Sequence, residues 1–186
     1  VHSPEQPEMP AEAMRGHLAF RSVGFRYPGA EEPVLCDISF VSRPGEITAV
    51  VGSTGCGKST LIQLIPRFYD VTDGTVEIGG RDIRSLALDD LRARIGYVPQ
   101  RAFLFRGSVA DNVRDGRPEA TDEEIRHALD IAQAWTFVEE MEGGLEAPIE
   151  QGGTNVSGGQ RQRLAIARAI VRRPEVYIFD DSFSAL

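Results

Sequence analysis

Three short stretches of this chain carry residue types that could do chemistry together. Gly52-Ser53-Thr54-Gly55-Cys56-Gly57-Lys58-Ser59-Thr60 fits the pattern G-x-x-x-x-G-K-[ST] at every fixed position from Gly52 to Ser59. Such a loop cradles phosphate. Gly52, Gly55 and Gly57 let the backbone bend and bring amide N–H groups close to anionic oxygens. A helix starting where the loop ends adds partial positive charge. Lys58 would then reach the β- and γ-phosphates of a nucleotide, and the Ser59 hydroxyl would ligate Mg2+. The elements that must hold this loop are legible on either side. Ile47-Thr48-Ala49-Val50-Val51 is apolar and β-branched, which predicts a buried parallel strand. Thr60 to Ile65 predicts a helix that Pro66 ends or kinks. A chance match would be a Gly-rich turn without that strand–loop–helix context.

Val176-Tyr177-Ile178-Phe179 is apolar on both faces and predicts a second central parallel strand. Asp180 stands at its C-terminal end, where open α/β sheets place their ligands. That position suits a direct or outer-shell contact to Mg2+. Asp181 follows, and its carboxylate would accept a hydrogen bond from an attacking water as general base. Taken alone, the pair reads equally well as a solvated turn; the phosphate cradle tips the balance.

The third stretch is Ser157-Gly158-Gly159-Gln160, followed by a run of helix formers from Arg161 to Ile170. Ser157 is placed to cap that helix. A Ser-Gly-Gly helix start is an anion site. The cradle already holds the phosphates of the chain's own nucleotide, so a second anion site points to a nucleotide held by another copy or a partner. Dimerisation is thus expected from the residues themselves.

Together these stretches resemble the nucleotide-binding domain of an ABC (ATP-binding cassette) transporter of the exporter type, over about Leu18 to Leu186. GSTGCGKST resembles Walker A, VYIFD Walker B, and NVSGGQ the signature motif with Val156 where Leu is usual. LIPRFYD (64–70), DIRSLALDDLR (82–92) and FLFRGSVADNV (103–113) are similar to exporters rather than importers. The resemblance implies an α/β fold: a P-loop NTPase (RecA-like) core, an N-terminal antiparallel β subdomain and an inserted α-helical subdomain. It adds Ser53, Thr54, Cys56 and Thr60 to the ATP-binding loop, and it brings Ser157, Gly158, Gly159 and Gln160 to the ATP of a partner. It makes Tyr27 in FRYPG the aromatic that stacks on adenine. It makes Gln100 in YVPQ the glutamine that contacts Mg2+ or water and senses the membrane domain. The implied partners are a second nucleotide-binding domain and a transmembrane domain, with this domain at the cytoplasmic face of a membrane.

The departures from the pattern are informative. Family members that hydrolyse efficiently carry Glu where this chain has Asp181. An aspartate's oxygens sit roughly 1.5 Å further back on an unchanged backbone. Misplacement of about 1 Å can cost on the order of a hundredfold in rate. Glu150 and Gln151 in IEQGGTN (149–155) stand where many exporters have a Gly-Glu-Arg-Gly loop, which leaves the register of the contact to the membrane domain open. Both changes resemble one half of a heterodimeric exporter with a degenerate site. The chain ends at DDSFSAL, inside what resembles the D-loop, so an excised, truncated domain with weak ATP binding and little hydrolysis of its own is expected. None of His2, His17 and His127 is placed to act as the family's switch histidine; His127 is expected on an exposed helical face.

Bulk properties narrow the alternatives. The 186 residues suit one domain, or one domain with a subdomain, and 41% apolar content suffices for a core. The net charge of −8 argues against nucleic acid or anionic lipid as a general partner. No apolar run approaches the roughly 18 residues that span a bilayer. The polar, Pro-rich start VHSPEQPEMPAEA, with residues 1–17, reads as a disordered linker. Cys36 and Cys56 do not suggest a disulfide framework. Residues 18–99 read as the β-rich and phosphate-binding core, 100–155 as a helical subdomain, and 156–186 as the signature helix and second strand. Within 100–155, Thr121 to Glu124 forms a capping box before Ile125, Ala128, Leu129 and Ala132 at helical spacing, and Trp135 and Phe137 are expected to pack this subdomain. The main alternative is a regulatory ATP-binding module with little hydrolysis, favoured by Asp181. A soluble ABC ATPase of DNA repair or translation is opposed by the exporter-like stretches, and a P-loop kinase leaves NVSGGQRQR unexplained.

Overall fold

In the computed structural model, which describes residues 1–9 and 12–181, strand β1 (Leu18–Phe25) lies between two antiparallel neighbours. On one side is β2 (Leu35–Ser42), with Phe20 opposite Phe40 and their rings stacked at 4.6 Å. Helix α1 (Lys58–Leu64) follows, and then β3 (Asp73–Ile78) pairs with the other side of β1, Phe20 opposite Val76. Strand β4 (Arg81–Asp82) closes a hairpin on β3. Its two-residue turn is Gly79-Gly80, both at positive φ (58° and 72°), the conformation that twisted hairpins need and that glycine adopts without a Cβ penalty. Helix α2 (Leu88–Ala93) completes the first of two compact units, Val1–Ile95. Its core holds Leu18, Phe20, Val23, Phe25, Leu64, Val76, Ile78, Leu86 and Leu91, each buried. Each such side chain contributes about 1.5–3 kcal/mol on leaving water. Along β1, two buried triplets, 18–20 and 23–25, flank Arg21 and Ser22, which are exposed where the register slips. Burial of three consecutive residues means that both faces of the sheet are covered at each triplet.

The first nine residues, expected as a disordered linker, lie along this unit. Glu8 N–H donates to the Ser85 carbonyl (2.8 Å), and Glu8 pairs with Arg81 (3.2 Å). The Ser3 hydroxyl accepts from the Leu88 N–H (3.0 Å), capping α2, whose own N-cap residue is Ala87. Residues 10–11 of that segment, and 182–186 of the D-loop-like end, lie outside the described residues.

The predicted strand Ile47–Val51 does not form. It joins no sheet among the described residues, and Ile47 and Val51 are 98% and 87% exposed. A β-branched apolar run becomes a strand only where a neighbour supplies the ladder.

The second unit, Gly96–Leu186, is mostly helical. Strand β5 (Ile95–Val98) leads into it, and β6 (Gly107–Ser108) precedes helices α3 (Val109–Arg114), α4 (Asp122–Ile131) and α5 (Trp135–Glu140). Strand β7 (Pro148–Ile149) pairs antiparallel with β6. Then come α6 (Gly158–Val171) and β8 (Val176–Phe179), which pairs with β5. The expected capping box opens α4: Thr121 Oγ1 accepts from Glu124 N–H (3.3 Å) and Glu124 returns the bond to Thr121 N–H (3.0 Å). Ile125, Ala128, Leu129 and Ala132 are buried as their spacing predicts. They join Leu104, Val113, Val138, Ile149 and Leu164 in one core, with Trp135 and Phe137 packed at its edge. His127 is exposed. Strand β8 is less enclosed than expected of a central strand: Ile178 is buried but Tyr177 is exposed.

Candidate functional site

The cradle of the first unit closes on its own lysine. Lys58 Nζ donates to the carbonyls of Gly52 (2.9 Å) and Ser53 (2.8 Å), and Cys56 N–H donates to Ser53 O (3.3 Å). The loop is therefore a ring of backbone around an ammonium group. Cys56 Sγ lies 3.9 Å from the same ammonium. Gly57 is the N-cap of α1, at φ 94°, and has no side chain with which to cap it. A Cβ there would also meet Val34 and Leu35 at 3.0–3.3 Å, so the position demands glycine twice over. Gly52, Ser53, Thr54, Gly55 and Cys56 are exposed, as is Ser59 in the first turn of α1. Thr60 is buried, and its hydroxyl shares a 3.0 Å hydrogen bond with that of Tyr27. Tyr27 is held edge-to-face by Phe25 (4.8 Å) and Tyr69 (5.3 Å). Tyr27, expected from resemblance alone, is thus brought to the helix that follows the cradle. Tyr69 and the Thr60 contact were not foreseen.

In the second unit Gln100, Asp180 and Asp181 come together at one end of the β5–β8 pair. Asp180 N–H donates to Val98 O (3.0 Å), extending the pairing by one bond. The Tyr97 hydroxyl donates to Asp180 Oδ2 (3.1 Å), and Gln100 Nε2 donates to Asp181 Oδ2 (3.2 Å). Asp181 adopts φ +49°, a left-handed conformation that aspartate tolerates better than most residues. The backbone thereby turns after the strand, and the two carboxylates meet different partners, Tyr97 and Gln100. Tyr97 was missed, although it sits in YVPQ just ahead of Gln100.

The signature stretch is built as a self-contained cap. Ser157 Oγ accepts from Gln160 N–H (3.2 Å), and Gln160 Oε1 accepts from Ser157 N–H (2.9 Å), so the two side chains satisfy each other's backbone. Gly158 and Gly159 form the first turn between them. Val156, in the place of the usual Leu, is buried. Arg161 Nη1 donates to Gly153 O (2.8 Å) and Val156 O (3.0 Å) and so fastens the preceding loop to α6. Glu150 N–H donates to Asn155 Oδ1 (2.9 Å), and Gln151 Oε1 accepts from Arg106 N–H (3.2 Å).

Asn112 was also missed. It is buried, and its amide donates to the carbonyls of Phe105 (2.9 Å) and Ser108 (3.0 Å) while accepting from Phe105 N–H (2.8 Å). Arg168 of α6 joins it: Nε donates to Asn112 O (2.7 Å), Nη2 to Asn112 Oδ1 (3.0 Å) and Nη1 to Phe103 O (3.2 Å). Burial lowers the Arg168 pKa, opposed by the Asp115 carboxylate at 3.8 Å. Nothing in a single sequence marks an Asn or Arg on a helix as the holder of a distant loop.

Ser59, Gln100 and Asp180 are the residues expected to hold Mg2+. They offer a hydroxyl, an amide oxygen and a carboxylate, an all-oxygen set suited to a hard cation. Ser59 belongs to the first unit, Gln100 and Asp180 to the second.

Comparison with known proteins agrees with this pattern. The family model described as "ABC transporter" matches residues 35–184. An uncharacterized ABC transporter ATP-binding protein of Mycobacterium tuberculosis is 52% identical, across 99% of this chain and 32% of that protein. The beta-(1→2)glucan export ATP-binding/permease protein of Rhodopseudomonas palustris is 46% identical across 94% of this chain and 29% of its own length. An ATP-dependent lipid A-core flippase of Xanthomonas oryzae is 43% identical across 100% of this chain and 32% of its own length. The chain thus spans about a third of the length of the curated relatives it matches. Among solved structures, a bacterial Atm1-family ABC exporter with ATP bound superposes with a TM-score of 0.92 at 34% identity, over the whole of this chain and 32% of that one. The chain belongs to the ABC transporter family, as an ATP-binding domain of α/β fold.

Proposed function

We propose that this domain binds and hydrolyses ATP to drive export through a transmembrane domain, working as one half of a head-to-tail pair. The observation that carries this reading is the presence, in one chain, of two Gly-rich helix starts with different finish. One closes on Lys58; the other is already capped by its own serine and glutamine. The first suits the phosphates of the chain's own ATP, and the second presents an anion-binding turn to the ATP of the facing domain.

In this reading Lys58 exchanges the carbonyls of Gly52 and Ser53 for β- and γ-phosphate oxygens, and the amides of residues 55–60 supply the remaining donors. Tyr27 packs on the adenine. Mg2+, when bound, would neutralise phosphate charge and orient the terminal phosphate. Ser59, Gln100 and Asp180 would hold it. Asp181, oriented by the Gln100 amide, takes a hydrogen bond from the attacking water. Its short side chain makes this site the slower of two, which favours a heterodimer whose other site is completed by Ser157, Gly158, Gly159 and Gln160 of this chain. Phe103 and Phe105, 49% and 48% exposed and packed edge-to-face, supply an apolar patch for a membrane domain at the cytoplasmic face. A regulatory module that retains ATP is the second reading, and Asp181 is the residue that favours it.

The deciding experiment is single-turnover and steady-state ATP hydrolysis by the whole transporter containing this domain. Hydrolysis that needs Lys58 and rises with Asp181→Glu supports an ATPase with one slow site. Tight ATP retention, with turnover indifferent to both residues, supports the regulatory module.

A further inference from the structure

We infer that Gln162 and Arg168 are positioning residues that clamp the Gln100 loop at both ends to the signature helix. Gln162 is 3% exposed, and its Nε2 donates to Pro99 O (3.2 Å). Arg168 Nη1 donates to Phe103 O (3.2 Å). Both side chains belong to α6, separated by about 9 Å of helix rise. The residues between the two gripped carbonyls include Gln100, whose amide reaches Asp181. The same strand end is tied from the other side, because Val98 O accepts from Asp180 N–H and Tyr97 donates to Asp180.

Proline explains why the first grip falls where it does. Pro99 has no N–H, so its carbonyl is the one backbone hydrogen-bonding group that this residue offers. A buried side-chain amide is a costly way to hold it, since a buried donor must be matched. Arg168 makes the second grip rigid: it also bonds Asn112 twice and lies over the Phe105 ring at 5.3 Å. The loop that carries Gln100 and the helix that starts with Ser157-Gly158-Gly159 therefore form one body. The backbone that sets where the Gln100 side chain starts is thereby fixed to the helix whose first turn carries Ser157, Gly158 and Gly159.

This inference rests on the proposed role of Gln100, so the experiment separates the two. In the whole transporter, Gln162→Met keeps side-chain volume and removes the donor. Amide hydrogen exchange of residues 100–103 is expected to speed up roughly tenfold while α4 amides stay unchanged. Turnover is expected to fall roughly tenfold with the KM for ATP within about twofold, the mark of a mispositioned group. In a Gln100→Ala background the same substitution should lower turnover no further. Arg168→Lys, which keeps the charge and loses the fork, should show the same loop-confined exchange. Exchange that rises throughout the helical unit, effects that add to Gln100→Ala, or no change at all would each overturn the clamp. If Gln100→Ala alone leaves turnover intact, the role of Gln100 fails, and hydrogen exchange still decides whether the clamp exists.

Discussion

Two helix starts in this protein share a vocabulary of glycine, serine and glutamine or lysine, yet they are finished differently. At the start of α6, Ser157 and Gln160 complete a capping box, and Arg161 ties down the loop before it. At the start of α1, Gly57 can cap nothing, and Lys58 turns back on the carbonyls of its own loop. The first is stable by itself, worth about 0.5–2 kcal/mol through the cap alone. The second is held by an ammonium on two backbone carbonyls, contacts that an anionic ligand would replace with charge-assisted ones. In the proposed reading, the difference separates a turn preformed for a partner's nucleotide from a loop that rearranges around the chain's own.

The largest test of that contrast is Lys58→Ala. Removing the ammonium should lower turnover of the whole transporter by about 10²–10³-fold, the usual loss for a charge-stabilising donor, as steady-state ATP hydrolysis would show. Unchanged turnover would erase the distinction between the two helix starts. Next is Asp181→Glu. The longer side chain reaches further toward the phosphate, and single-turnover hydrolysis should speed up at least about tenfold. No change would mean that the backbone turn at φ +49°, rather than side-chain length, sets the reach.

Ser157→Ala should destabilise the helical unit by about 1 kcal/mol in denaturant unfolding, and Ser157→Asp should restore most of it. The matching change at the other helix start, Gly57→Ala, should lower nucleotide affinity as well as stability, since a Cβ there is strained at φ 94° and crowded by Val34 and Leu35. If both substitutions act on stability alone, the contrast is one of packing only.

The smallest effect concerns acid. Arg117, the Thr121 N–H and Arg173 hold the Glu124 carboxylate down to about 2 from an ordinary 4.5. A lowered folded pKa contributes stability that is fully present above about 4.5. That contribution is lost as pH falls from there toward 2. Glu124→Gln should therefore narrow the stability difference between pH 6 and pH 3, measured by thermal unfolding of the helical unit. An identical pH profile in the variant would assign acid sensitivity to other carboxylates.

What could be read ahead of the structure was local in sequence. The capping box at Thr121, the Ser157 cap and the glycine-rich loop ahead of Lys58 each lie within a few residues, so residue types specify them directly. Motif order then placed the chain in its family, because spacing between such loops survives as a pattern. Strand Ile47–Val51 was misjudged because composition marks a strand-former but not the neighbour it pairs with. Ser3 capping α2 across 85 positions, and Arg168 gripping Phe103 across 65, carry no local signal whatever.

By itself, then, the sequence determined the Gly-rich loop that closes on Lys58, the capped signature turn and the carboxylate pair that ends β8, because short-range hydrogen bonding and backbone sterics depend on adjacent residues. Only the tertiary structure decided that Tyr27 meets Thr60, that Tyr97 holds Asp180, and that α6 grips the loop bearing Gln100. Those contacts join residues 33 to 83 positions apart, and their geometry exists only once each unit's core has brought its strands and helices into place.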